Sequence, residues 1–287
     1  MHSRLYHLPK YEPYEWRLKQ HTLEIGKRTL VMGILNVTPD SFSDGGKFDT
    51  IEHAIEQALE MADQGADIID IGGESTRPGF AEVPLELEIS RVLPVIEALV
   101  AHPEFDIPIS IDTYKAETAR CALMAGAEIV NDIWGLQREP EIARVAAQFD
   151  APVIIMHNQN GTHYETDIVD SMIEFFEKSI AIAKAAGIPD QSIMLDPGFG
   201  FGKTSEQNID LMPRLHELHV LGYPLLLGTS RKSMIGKILD LPPQERMEGT
   251  VATSVFGVVQ GVEVIRVHDV KENLRAVKVM DAMTRRR

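Results

Sequence analysis

Polar residues close the apolar runs of this chain, and the types gathered there suit electrostatic chemistry on a small anionic ligand. Asp112 ends "PISID", Asn131 and Asp132 end "AEIVND", and Asp196 ends "SIMLD". Further along, Ser230, Arg231 and Lys232 follow "YPLLLGT", and Arg266 and His268 lie in "VEVIRVHD". Guanidinium and imidazole groups suit phosphate oxygens. A carboxylate such as Asp196 suits a flat heterocycle with two adjacent N–H donors, because two parallel bonds fix position and orientation together. Asn131 complements such a ring with an amide donor and acceptor.

The segment "LDPGFGFGKT" (195–204) resembles a phosphate-cradling loop and fails the test. That loop requires glycine five positions before the Gly of Gly-Lys-Thr, and Pro197 stands there. The dinucleotide fingerprint fails as well, since Lys203 occupies the third glycine position after Gly198 and Gly200. The glycines instead let backbone approach a ring held by Asp196. Lys203 reads as a solvated or capping lysine.

The elements that position these residues alternate strand-like and helix-like along the chain. Eight short apolar runs (29–36, 66–73, 108–112, 127–132, 151–157, 192–198, 223–230 and 262–269) are separated by amphipathic stretches such as "TIEHAIEQALEMADQG". Nearly continuous apolar strands indicate a parallel sheet covered by helices. Eight β-then-α units predict an α/β (β/α)8 TIM barrel in a single domain. A doubly wound open sheet is the runner-up and lacks its fingerprint. Residues 1–28 form an N-terminal extension, in which the alternation around Gly26 predicts a hairpin capping the bottom of the barrel, and 29–287 form the barrel itself. In such barrels the active site lies at the C-terminal strand ends, with phosphate often held after strands seven and eight.

Composition agrees with this reading. The 287 residues are 44% apolar, and 43 acidic side chains against 28 basic give a formal charge of −15. That balance argues against a nucleic-acid or anionic-membrane surface. The single cysteine, Cys121, excludes an internal disulfide framework and reads as core packing. With no apolar span of about 18 residues and no signal-like start, the expected location is the cytoplasm.

Seven segments taken together resemble the dihydropteroate synthase family: "MGILNVTPDSFSDGG", "DIGGESTRPG", "SIDTYK", "VNDIWG", "LDPGFGFGK", "LLLGTSRKSMIG" and "IRVHDV". They stand in the family's order and cover residues 30 to 270. The resemblance implies condensation of 6-hydroxymethyl-7,8-dihydropterin diphosphate with p-aminobenzoate, giving 7,8-dihydropteroate and pyrophosphate for folate. It implies that Asp196, Asn131 and Asp112 grip the pterin with Lys232 beside the ring. Thr76, Arg266 and His268 then hold the diphosphate, with Asn36 as the protein ligand of a Mg2+ cofactor. Ser230, Phe201, Pro78 and the stem of Lys232 take p-aminobenzoate, and Asp112, Lys232 and Arg77 form the catalytic set. The glycine-rich loops "SDGGKF" and "GESTRPGF" become lids, sulfonamides become competitors of p-aminobenzoate, and the expected assembly is a homodimer through late barrel helices.

Each motif also has a plainer reading. Asn36 and Asp40 could simply turn the chain around Pro39, Arg77 could be a solvated loop charge, and Asp112 could cap the third helix. His157 reads as structural or at the rim, Arg231 as pointing outward, and Asp70 and Asp132 as outside the chemistry. Two rival functions are a non-catalytic pterin-binding paralogue and a pterin-dependent methyltransferase. The methyltransferase needs no diphosphate site, and the paralogue is expected to have lost Arg77, Lys232 or the lid residues. Pyrophosphate release that depends on p-aminobenzoate separates all three.

Overall fold

The structure, a computed structural model, describes residues 12–38, 47–74 and 82–285. Its centre is a ring of eight parallel strands. These are β3 (Leu30–Asn36), β4 (Ile68–Gly72), β5 (Ile109–Asp112), β6 (Ile129–Asp132), β7 (Val153–Met156), β8 (Ile193–Asp196), β9 (Leu226–Leu227) and β10 (Val264–Val267). They lie in the order β8-β7-β6-β5-β4-β3-β10-β9. A parallel bridge between Leu195 and Leu225 closes the ring, with Leu195 N–H donating to the Pro224 carbonyl at 2.9 Å. The expected (β/α)8 TIM barrel is therefore the observed fold.

Helices form the outer layer: α1 (Lys47–Asp63), α2 (Leu85–Val100), α3 (Ala116–Ala125), α4 (Glu141–Gln148), α5 (Ile168–Ala186), α6 (Ser205–Leu211), α7 (Ser233–Leu239), α8 (Met247–Val259) and α9 (Val270–Thr284). The strands alternate with a period of two. Ile69, Val130, Leu195 and Ile265 face the helices and join the main apolar core. Met32, Ile68, Ile129, Ile154, Met194, Leu226 and Val264 face inward and form a separate apolar layer at the strands' N-terminal half. Two residues further on, the inward positions are Asp70, Asn131, Asp196 and Arg266. The same alternation that builds the lower core thus delivers polar groups to the upper end.

A hairpin of β1 (Tyr14–Arg17) and β2 (Thr22–Ile25) closes the bottom. Trp16 and Ile25 are fully buried against the inward apolar layer. The hairpin reverses at Leu18–His21, where Leu18 N–H donates to the His21 carbonyl at 3.0 Å. Gly26, expected at the centre of the hairpin, instead turns the chain toward β3 with φ +88°. Glu128 holds the hairpin tip by accepting Gln20 N–H at 2.6 Å and meeting His21 Nδ1 at 2.5 Å. Cys121 departs from its expected place in the core. Helix α3 buries Ala119, Ala122 and Leu123, which leaves the thiol half-buried beside Glu117.

Candidate active site

Register alone brings several predicted residues to one level. Asn36 pairs across β3–β4 with Gly72, Gly72 across β4–β5 with Asp112, and Asp112 across β5–β6 with Asn131. Asp196 ends β8 opposite Met156. Arg266 reaches across the barrel: its Nε donates to Asp70 Oδ2 at 2.5 Å, and its Nη2 donates to Asp112 Oδ2 at 2.7 Å. Asn131 Nδ2 donates to the same Asp70 oxygen at 3.0 Å. One guanidinium therefore joins three strands.

This cluster leaves acceptors unmatched. Asp112 Oδ1 and Asn131 Oδ1 are buried and meet no donor among the described residues. A buried acceptor without a partner costs about 1–3 kcal/mol, so native folds keep few of them away from functional sites. Asp196 Oδ1 accepts Gly198 N–H at 2.7 Å. Burial raises the Asp196 carboxyl above its ordinary value, opposed by the Gly198 bond and by Lys232, Arg266 and Lys203. Burial likewise raises Asp112, against the pull of Arg266. Gly228 puts no side chain between these groups; a Cβ there would stand 3.8 Å from Asp196 Oδ2 and 4.0 Å from Arg266 Cβ.

A second group sits beside the first. Lys232, at the N-cap of α7, holds its Nζ 4.2 Å from the centre of the buried Phe201 ring, a cation–π distance. Ser230 Oγ lies 2.9 Å from His268 Nδ1 and accepts the His268 backbone N–H at 3.1 Å. The upper end thus gathers carboxylates and an amide beside cations and an aromatic ring.

Comparison with known proteins gives the family. The pterin binding enzyme family model matches residues 32–268. Dihydropteroate synthase of Clostridium beijerinckii is 54% identical over 263 residues, covering 91% of this chain and 97% of that protein. The chain belongs to the dihydropteroate synthase family. A solved dihydropteroate synthase from Clostridium difficile, crystallised in the presence of pteroic acid, superimposes with a TM-score of 0.89 at 56% identity, covering 91% of this chain and 99% of that one. The Xanthomonas albilineans dihydropteroate synthase with 4-aminobenzoic acid gives a TM-score of 0.88 at 42% identity, covering 94% and 98%.

Within this dihydropteroate synthase fold, Asp112, Asn131, Asp196, Lys232, Phe201, Arg266, Ser230, His268 and the half-buried Asn36 all lie at the upper end. Thr76, Arg77 and Pro78 lie outside the described residues, as does most of both glycine-rich loops. Asp112 does not cap α3, whose N-cap is Lys115. Asp132, the last residue of β6, holds the turn that follows it, accepting Trp134 and Leu136 N–H at 2.7 Å each.

Three readings change. Lys203 is neither solvated nor a cap: its ammonium is buried and meets His157 Nδ1 at 2.8 Å. Positive φ at Gly198, Gly200 and Gly202 folds the turn around it. Arg231 does not point freely outward, because its guanidinium pairs with Asp269 at 3.1 and 2.6 Å. Asp70, read as outside the chemistry, is fully buried and binds both Arg266 and Asn131. Its signal was available: it stands two residues after Ile68, on the inward side of a strand.

Proposed function

We propose that the upper end of this barrel condenses 6-hydroxymethyl-7,8-dihydropterin diphosphate with p-aminobenzoate to 7,8-dihydropteroate and pyrophosphate. The observation that carries this reading is that Asp112 and Asn131 stand side by side with Oδ1 of each buried and unmatched by any described donor, while Arg266 interacts with both Asp112 and Asp196. The aminopyrimidinone edge of a pterin offers N–H donors in a plane, which these acceptors complement. Lys232 flanks the ring, and its stem with Phe201 and Pro78 forms the p-aminobenzoate platform.

Arg266 is held in place by Asp70 and Asp112 before any substrate arrives, so little reorganisation is needed as charge develops. Together with His268 and Thr76 it holds the diphosphate. Ser230, already bonded to His268, binds the p-aminobenzoate carboxylate and thereby ties the two anion sites together. Asn36 offers one hard amide oxygen at the rim. Such an oxygen suits an ion that takes most of its ligands from water and diphosphate oxygens. When bound, Mg2+ neutralises charge on the leaving group.

In the reaction the methylene C–O bond breaks, and pyrophosphate leaves with the electron pair. The carboxylate of Asp112 faces the electron-poor ring, and Arg266 and His268 face the departing oxygens. The arylamine nitrogen then forms the C–N bond and releases a proton to solvent, with Arg77 and Lys232 completing the catalytic set. The homodimer through late helices has support in exposed Ile238 and Leu239 of α7 and Phe256 of α8. No described helix is long and apolar enough to cross a membrane.

The test is pyrophosphate release from the pterin diphosphate, with and without p-aminobenzoate and with and without Mg2+. Release that requires both is expected. Pterin binding without release would favour the non-catalytic paralogue instead.

A further inference from the structure

The mechanism leaves the buried cation of the glycine-rich turn unused. Lys203 is 7% exposed, yet its Nζ has three acceptors: His157 Nδ1 at 2.8 Å, the Gly198 carbonyl at 3.1 Å and the Phe201 carbonyl at 3.1 Å. The two carbonyls come from opposite ends of the glycine-rich turn. Gly198 also gives its N–H to Asp196, and Phe201 carries the ring under Lys232. We infer that Lys203 is a positioning residue whose ammonium clamps this turn, fixing the pterin-binding carboxylate of Asp196 and the arylamine platform of Phe201 as one unit. This inference rests on the substrate reading given above.

The chemistry selects lysine. Three acceptors converging on a buried point need three donors on one atom, which an ammonium supplies and an amide does not. The planar fork of arginine spreads its donors too widely for the same point. The partner is built to accept: burial, with the nearby Lys203 charge, holds the His157 imidazole well below its usual pKa and so keeps the ring neutral, and the ammonium facing Nδ1 selects the tautomer in which that nitrogen accepts. His157 is itself fixed, edge-on to Phe175 at 4.9 Å and bonded through its backbone N–H to the Asp196 carbonyl at 2.9 Å. The turn fits closely over it. A Cβ on Gly198 would stand 2.0 Å from the His157 carbonyl oxygen, and Gly198 has φ +70°.

The clamp also acts through charge. Lys203 is one of three cations that favour the ionised form of Asp196, beside Lys232 at the start of α7 and Arg266 on β10. Burial pushes the Lys203 ammonium down to about 7, and the Asp196 carboxylate opposes that shift while Lys232 adds to it. Removing the Lys203 charge therefore makes Asp196 harder to ionise.

Calorimetry with the pterin diphosphate and steady-state kinetics with p-aminobenzoate, on the full chain, test the inference. Wild type is compared with K203M, K203Q and K203R, each checked for folding by its thermal melt. K203M should weaken pterin diphosphate binding and raise the KM for p-aminobenzoate, each about tenfold, as lost buried hydrogen bonds to a charge predict. The acid limb of pterin binding should also move to higher pH, because the lost charge favoured the ionised carboxylate. K203R should restore the acid limb without restoring the KM for p-aminobenzoate. H157Q, which leaves the lysine in place and alters one acceptor, should raise both constants by a smaller factor and serves if the lysine variants do not fold. Folded variants with a lowered melting temperature but wild-type affinities and an unmoved acid limb would overturn the inference. If wild type itself does not bind the pterin diphosphate, the substrate reading fails instead.

Discussion

At the N-terminal end of the barrel strands, Trp16 and Ile25 of the hairpin pack on Met32, Ile68, Ile129, Met194 and Val264. At the C-terminal end, two residues further along four of those strands, Asp70, Asn131, Asp196 and Arg266 point into the same bore. The lower end binds its charges to one another: Arg28 pairs with Asp67, Thr29 donates to Asp281, and Glu128 holds the hairpin tip, although the buried Trp16 Nε1 meets no acceptor among the described residues. The upper end keeps Asp112 Oδ1 and Asn131 Oδ1 without described donors and holds carboxyls raised by burial. One end of each strand stabilises the fold, and the other gathers buried carboxylates and an amide for a ligand. This division follows the general pattern of barrels, with function at the strands' C-terminal ends.

Four substitutions or titrations break or sharpen the contrast. The largest effect should come from Trp16→Ala, which removes a fully buried indole from the lower plug. It should cost about 3–5 kcal/mol of unfolding free energy, read by denaturant titration, with kcat/KM unchanged for the surviving folded enzyme. Asp196→Asn should do the reverse. Its amide nitrogen meets a donor edge, so pterin affinity should fall by about 2–4 kcal/mol, measured by calorimetry, while the protein stays folded. Lys232→Ala should lower kcat/KM by a factor corresponding to about 1–2 kcal/mol, the scale of a cation–π contact with added charge stabilisation; wild-type kinetics would remove it from the site.

The smallest effect is a pH dependence of stability. Asp196 has a folded pKa raised above its ordinary 3.8 by burial. Its protonated form therefore favours folding: that contribution is fully present below about 3.8 and is lost as pH rises through the raised value. Asp196→Asn should make the ligand-free protein more stable than wild type at pH 7, and the advantage should shrink on acidification toward pH 4. A gap that widens in acid would reverse the assignment.

Much of this contrast was legible in the sequence. Strand runs ending in Asp112, Asn131 and Asp196 announced both the barrel and its active rim, because period-two alternation and strand-end position are local signals. The hairpin was legible as alternation, while its reversal at Leu18–His21 was not, since no Gly or Asn marks it. Asp70 and Lys203 were misread for a shared reason. Each looks ordinary among its sequence neighbours, and each acquires its role from partners far along the chain: Arg266 is 196 residues from Asp70, and His157 is 46 residues from Lys203. Cys121 failed in the opposite way, since an apolar neighbourhood did not reveal which face of α3 it occupies.

The most direct test of the division between the two ends is one paired measurement, of unfolding free energy and kcat/KM, on Trp16→Ala and Asp196→Asn side by side. The account predicts a crossed result, with stability lost and activity kept in the first, and activity lost and stability kept or raised in the second. If Trp16→Ala lowers kcat/KM as severely as Asp196→Asn while remaining folded, the two ends are not independent and the account is wrong.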